Sequence, residues 1–162
     1  KLGFLIKNKI NLDNDISLNK RLISKSIEQF CRPKLYPNFL KNLIKTRSNK
    51  KINRIGCTDS SDGLFQALQD LAIASKCKAI INYEKIPKDK DWPRGNKWDE
   101  YYFFGGEDYE LVFALPKKWA KNLSKLDKDI NEIGFFIDGS PSIEFRDSNK
   151  NKLLNNTPFK HF

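Results

Sequence analysis

Asp59 and Asp62 stand three residues apart in the stretch CTDSSDGLFQAL, Cys57 to Leu68, with Ser60 and Ser61 between them and Gly63 directly after. Carboxylates at that spacing, where an extended segment turns into a helix, can do one of two jobs. In the first they grip a divalent cation. Mg2+ takes one or two protein carboxylates and completes its shell with phosphate oxygens and water, and the free amides of a first helical turn favour the same phosphates. In the second they only fold the chain: Ser61 or Asp62 caps the helix, Gly63 eases the turn and Asp59 faces solvent. The stretch alone leaves both readings open.

A second group of acids lies in FFGGEDYEL, Phe103 to Leu111, where Gly105 and Gly106 precede Glu107, Asp108 and Glu110 at the entrance to an apolar run. Paired glycines let a ligand or another backbone come close, and they are equally an ordinary turn before a strand. The aromatics just upstream, Trp92, Trp98, Tyr101, Tyr102, Phe103 and Phe104, line a substrate pocket on one reading and fill the core on the other. His161 is the only histidine and sits at the chain's end, so it is assigned no general-base work.

The elements that must carry these groups follow from periodicity. Leu18, Leu22, Ile23, Ile27 and Phe30 form one helical stripe, started by Asp15 or Ser17 and ended by Pro33. NFLKNLIK adds one or two helical turns, and INRIGCTD from Ile52 reads as a short strand with Asp59 at its exit. From Gly63 the period is helical again, with Leu64, Ala67, Leu68, Leu71 and Ala72 on one face. Lys78 to Tyr83 reads as a strand that ends near Pro87, DWPRGNKW as a loop, and KWDEYYFF as helix or strand. Tyr109 to Pro116 reads as a strand and KKWAKNLSKL as a helix that faces inward through Trp119, Leu123 and Leu126. INEIGFFI and SIEF supply two more strands, and the tail is irregular. Intermixed helices and strands predict an α+β fold in a single domain over 1–162, with one mostly antiparallel or mixed sheet covered by helices.

Composition bounds the function. The chain has 162 residues, 39% apolar and 12% aromatic, enough for one packed core. No apolar run is long enough to span a membrane, and the first residues lack a signal peptide's pattern, so a cytoplasmic protein is expected. The three cysteines are too far apart for a zinc or redox site and read as buried or partly buried reduced thiols. A net charge of +10 raises the question of nucleic acid. The lysines are scattered, and the densest group, KTRSNKKINR, has no interleaved aromatic platform, which leaves a basic nucleic-acid module as the less favoured reading. The chain also opens at Lys1 on an apolar segment and contains no methionine, as a piece of a longer chain would.

The order of motifs is more specific than either motif. CTDSSDGL, an amphipathic helix, a strand ending at Ile86-Pro87, GGEDYEL leading into a strand and Pro116, and then Ile133-Gly134 together resemble the C-terminal half of the thiamine-monophosphate kinases. FCRPKLYP from Phe30 is similar to the arginine-proline segment that precedes the DxSDGL motif there. The closing FKHF is similar to the family's aromatic-x-His-Phe ending, with Pro158 where the family has glycine. The resemblance implies the fold shared with aminoimidazole-ribonucleotide synthetase. It also implies transfer of the γ-phosphoryl group of ATP, with Mg2+, to thiamine monophosphate. Carried over by position, Asp59 and Asp62 match metal-binding aspartates, Ser61 a residue at the ATP phosphates, Glu107 the acid at the substrate and Phe159 an aromatic at its ring. Within the superfamily, the synthetase and selenophosphate synthetase are the alternatives. The family's N-terminal half, with further metal ligands and the dimer contact, is missing from this sequence. The resemblance therefore implies a homodimer for the full-length protein and little or no turnover from these 162 residues alone.

Overall fold

A computed structural model describes residues 20–33, 36–47 and 54–155. Strand β1 (Gly56–Asp59) pairs antiparallel with β3 (Leu111–Ala114), which sets Asp59 opposite Leu111. Strand β2 (Cys77–Ile81) is the centre of a second sheet, antiparallel to β4 (Gly134–Asp138) and parallel to β5 (Ser142–Phe145). The class is α+β as expected, but the strands form two small sheets where one was expected. Pairing partners such as β1 and β3 lie more than fifty residues apart, and single-strand patterns carry no information about such partners.

Helix α3 (Leu64–Ser75) joins the two sheets. It touches β1, β3, β2 and β5, and Ala67, Leu68, Leu71 and Ala72 form its buried stripe. The chain then reverses at Lys76, in the left-handed region at φ 51°, and enters β2. Tyr83, expected within that strand, belongs instead to a 3-10 turn at Tyr83–Lys85. Its ring is buried against Phe145, with the Lys88 and Lys150 ammonium groups 3.9 and 4.6 Å from its centroid.

Helix α4 (Asn96–Phe104) resolves the ambiguous KWDEYYFF. It is buried through Trp98, Asp99, Tyr102, Phe103 and Phe104, so the packed residues are not confined to one stripe and the helical period is blurred. Most of the aromatic stretch is therefore core. Buried Asp99 receives Lys150 at 2.7 Å and Lys88 at 3.4 Å. Burial pushes its carboxyl up, and the hydrogen bonds and charges of its partners outweigh that and hold it below the ordinary value.

Helices α2 (Phe39–Thr46) and α5 (Lys117–Leu126) pack a smaller core of Leu43, Trp119 and Leu123. The Trp119 indole N–H donates to the Leu43 carbonyl at 2.9 Å, and Phe39 stacks on Phe113 of β3 at 4.6 Å. Leu126, expected to face inward, is 44% exposed at the helix's last position. Helix α1 (Lys20–Cys31) buries only Leu22, against Trp98. Asp15 and Ser17, the expected caps, lie outside the described residues, as do Phe159 and His161.

All three thiols are free; Cys77 is half-buried as expected, while Cys31 and Cys57 are exposed, contrary to the expectation. Cys31 closes a helix that lies on the surface. Cys57 points to the open side of β1, where burial alternates residue by residue.

Candidate functional site

The same alternation sets up the site. Along β1 it turns the Asp59 side chain outward and the next residue, Ser60, inward, where Ser60 is 4% exposed. Ser60 then fastens the turn to the other motif. Its N–H donates to the Glu110 carbonyl at 2.9 Å, and its Oγ accepts the Glu110 N–H at 3.1 Å. One residue on, the Ser61 carbonyl accepts the Glu107 N–H at 2.7 Å. The two acidic motifs thus meet backbone to backbone.

Glycine is required on both sides of this contact. A Cβ on Gly106 would sit 2.4 Å from the Ser61 carbonyl oxygen, and one on Gly63 would sit 2.7 Å from that of Phe104, with Gly63 already at φ 98°. On the far side, Glu107 and Tyr109 both occupy the left-handed region, at φ 66° and 53°. Two non-glycine residues in that conformation within one loop each cost of order 1–3 kcal/mol, a concentration of strain characteristic of ligand sites. The Tyr109 hydroxyl donates to the Glu107 carboxylate at 2.5 Å, which raises the phenol's pKa.

Neither Ser61 nor Asp62 occupies the N-cap position of helix α3, which falls on Gly63. The Asp59 carboxylate instead accepts the Ser61 N–H at 2.9 Å, and hydrogen bonds from the Ser61 hydroxyl and N–H hold its pKa below the ordinary 3.8. It is ionised and exposed. Asp62 is exposed on the same turn. Among the described residues no group of three or more His, Cys, Asp or Glu side chains could enclose a metal ion. Two carboxylates on one exposed turn fit Mg2+ shared with phosphate and water, and do not fit a protein-enclosed cation.

Glu107, Asp108 and Glu110 line a cleft of about 1150 Å3, together with Tyr36, Trp92 and Tyr102. Helix α1 forms one wall of it through Leu22, Lys25 and Gln29. Of the aspartate turn only Ser60 reaches this cleft. Asp59, Ser61 and Asp62 stand together outside it, and Glu107 lies between the two regions.

No protein-family model matches the chain. Among curated proteins it is 30% identical to the thiamine-monophosphate kinase of Prochlorococcus marinus, over all of this chain and 49% of that one. It is 38% identical over 108 residues to the thiamine-monophosphate kinase of Nitrosopumilus maritimus, covering 64% of this chain and 34% of that one. Among solved structures, AaThiL complexed with AMPPCP and TMP covers 99% of this chain and is itself covered to 46%, with a TM-score of 0.63 and 25% identity. The chain's relatives are thiamine-monophosphate kinases.

It spans half or less of the length of these relatives. Against these kinases the sequence resemblance holds along the whole chain, and the α+β class agrees. Sequence reasoning missed the parts that join the motifs. In the sequence Ser60 is one of a serine pair and Glu110 one acid of three, while Tyr36 and Gln29 carry no signal at all. The one available clue is alternation along β1, which points Ser60 inward when Asp59 points out.

Proposed function

We propose that these residues are the C-terminal part of an ATP- and Mg2+-dependent kinase that transfers the γ-phosphoryl group of ATP to the phosphate of thiamine monophosphate, giving thiamine diphosphate. The observation that carries this reading is the junction of the two motifs, in which the Glu107 N–H meets the Ser61 carbonyl at 2.7 Å in a chain whose relatives are such kinases. Phosphoryl transfer between two anions needs positioning and charge neutralisation more than a covalent nucleophile.

Asp59 and Asp62 are the carboxylates that would hold Mg2+. When bound, the ion would supply the positive charge that lets two phosphate groups approach. Asp59 suits this because Ser61 keeps it ionised and fixes one of its oxygens. Ser61 stands at the ATP phosphates beside the start of α3, whose first N–H groups favour anions. Glu107 faces the cationic thiazolium ring of the substrate, in a cleft that also carries Trp92 and Tyr102; carboxylates and aromatic faces both attract such a cation. Phe159, outside the described residues, is assigned to the same ring. The acceptor phosphate is already anionic, so no general base is required. The full-length protein is proposed to be a cytoplasmic homodimer, with the remaining metal ligands on its other half.

The test is formation of thiamine diphosphate by the full-length protein from ATP, Mg2+ and thiamine monophosphate. Product from the parent with at least about a hundredfold less from Asp59→Asn, of the order seen when one charge-stabilising group is removed, supports the reading. A folded parent that makes none, or that acts on the substrate of another superfamily member, overturns it.

A further inference from the structure

Helix α1 lies along the cleft with almost no apolar anchorage. Leu22 is buried against Trp98, with Ile23 beside it, while Ile27 and Phe30 are 43% and 39% exposed. Polar ties at both ends take over what packing does not supply. At the start, Arg21 donates to Asp91 at 2.6 Å and to Asp89 at 2.5 Å, and Lys25 donates to Asp89 at 2.7 Å. Both aspartates belong to the loop that follows Pro87. At the far end, Gln29 Nε2 donates to Glu110 Oε1 at 3.1 Å, and the Tyr36 hydroxyl, just past the helix, donates to Glu110 Oε2 at 3.1 Å.

Glu110 is therefore engaged twice. Its main chain exchanges both hydrogen bonds with Ser60, the inward-facing residue of the aspartate turn. Its carboxylate accepts from the helix and from Tyr36, so both oxygens already serve the protein's own donors. A side chain in that state is poorly placed to be a substrate ligand and well placed to transmit position. It links the wall of the cleft to the turn that carries Asp59 through a single residue.

We propose that Tyr36 and Glu110 are positioning residues that clamp helix α1 over the cleft and tie this cover to the Asp59–Ser61 turn, so that the substrate's ring binds tightly only when the cover is fastened. The proposal rests on the kinase reading for the identity of that substrate. The clamp itself does not. Removing the Tyr36 hydroxyl leaves a part-buried carboxylate oxygen short of a donor and leaves Gln29 to tie Glu110 to this end of the helix, while Arg21 and Lys25 hold the other end.

The experiment uses Tyr36→Phe in the full-length protein, with Glu110→Gln as a second variant that keeps the shape and an acceptor oxygen. For Tyr36→Phe, the KM for thiamine monophosphate should rise about tenfold, the factor expected from one hydrogen bond to a charged group, while kcat and the KM for ATP move much less. Amide exchange over residues 20–31 should quicken by a similar factor while α3 stays protected. Glu110→Gln should fall between parent and Tyr36→Phe on both readouts. Unchanged exchange in α1, or equal rises in both KM values, overturns the proposal, and so does a lower melting temperature with neither KM altered. If the parent makes no thiamine diphosphate but exchange in α1 still answers to Tyr36→Phe, the clamp stands and the kinase reading falls.

Discussion

An aspartate that accepts the N–H two residues on is both aimed and kept ionised, and Asp59 is in this state with Ser61. Hydrogen bonds from Ser61 lower its pKa from 3.8, so the folded form favours the carboxylate. The sign follows. This contribution to stability is complete above pH 3.8, the ordinary value, and is lost as pH falls through the lower folded value. An NMR titration should place the Asp59 midpoint below 3.8, and Asp59→Asn should remove that part of the acid sensitivity. Tyr36 runs the other way. Burial first, and the Glu110 charge second, push its phenol up to about 12. Its stabilising hydrogen bond is therefore fully present below pH 10.0, the ordinary value, and is lost as pH rises through about 12. Alkaline unfolding of Tyr36→Phe should lack this step. Asp59, Ser61, Asp62 and Glu107, singled out by type and spacing, stand where the two motifs meet, with the Glu107 N–H on the Ser61 carbonyl. The roles of Ser60 and Glu110 were not legible in the sequence, because each is defined by the other across fifty residues of chain.

Elements were legible where one face is buried. Helices α3 and α5 appear with the stripes their periods predict, apart from exposed Leu126, and β3 appears inside the expected run. Helix α4 was not decidable, because Tyr101 to Phe104 are consecutive aromatics that fit either period, and every residue from Trp98 on is buried or half-buried. The split into two sheets also escaped, since nothing in β1 or β2 states its partner. What fixes the site at this scale is the close approach of two loops, and Gly106 is its tightest point. Gly106→Ala would force its Cβ against the Ser61 carbonyl at 2.4 Å, a backbone atom that cannot swing aside. The expected result is a loss of about 1–3 kcal/mol of stability, the usual cost of overpacking, read as a shift of the urea midpoint with an unchanged slope. A neutral substitution there would mean that the two motifs are not in contact.

The molecule as a whole has a formal net charge of +10, yet five of its twenty acids stand where the two motifs meet, Asp59 and Asp62 on the turn and Glu107, Asp108 and Glu110 on the cleft. On the proposed kinase reading, this acidic corner needs a cation before phosphate can settle there. No helix among the described residues is long and apolar enough to cross a membrane. The measurement that tests the central claim most directly is Asp62→Asn in the full-length protein, with thiamine-diphosphate formation and melting temperature recorded on the same preparation. The expected result is at least about a hundredfold loss of turnover, as for removal of a charge-stabilising group, with melting unchanged within a few degrees. Turnover retained beside a large fall in melting temperature would contradict it and return Asp62 to the role of a structural residue at a helix start.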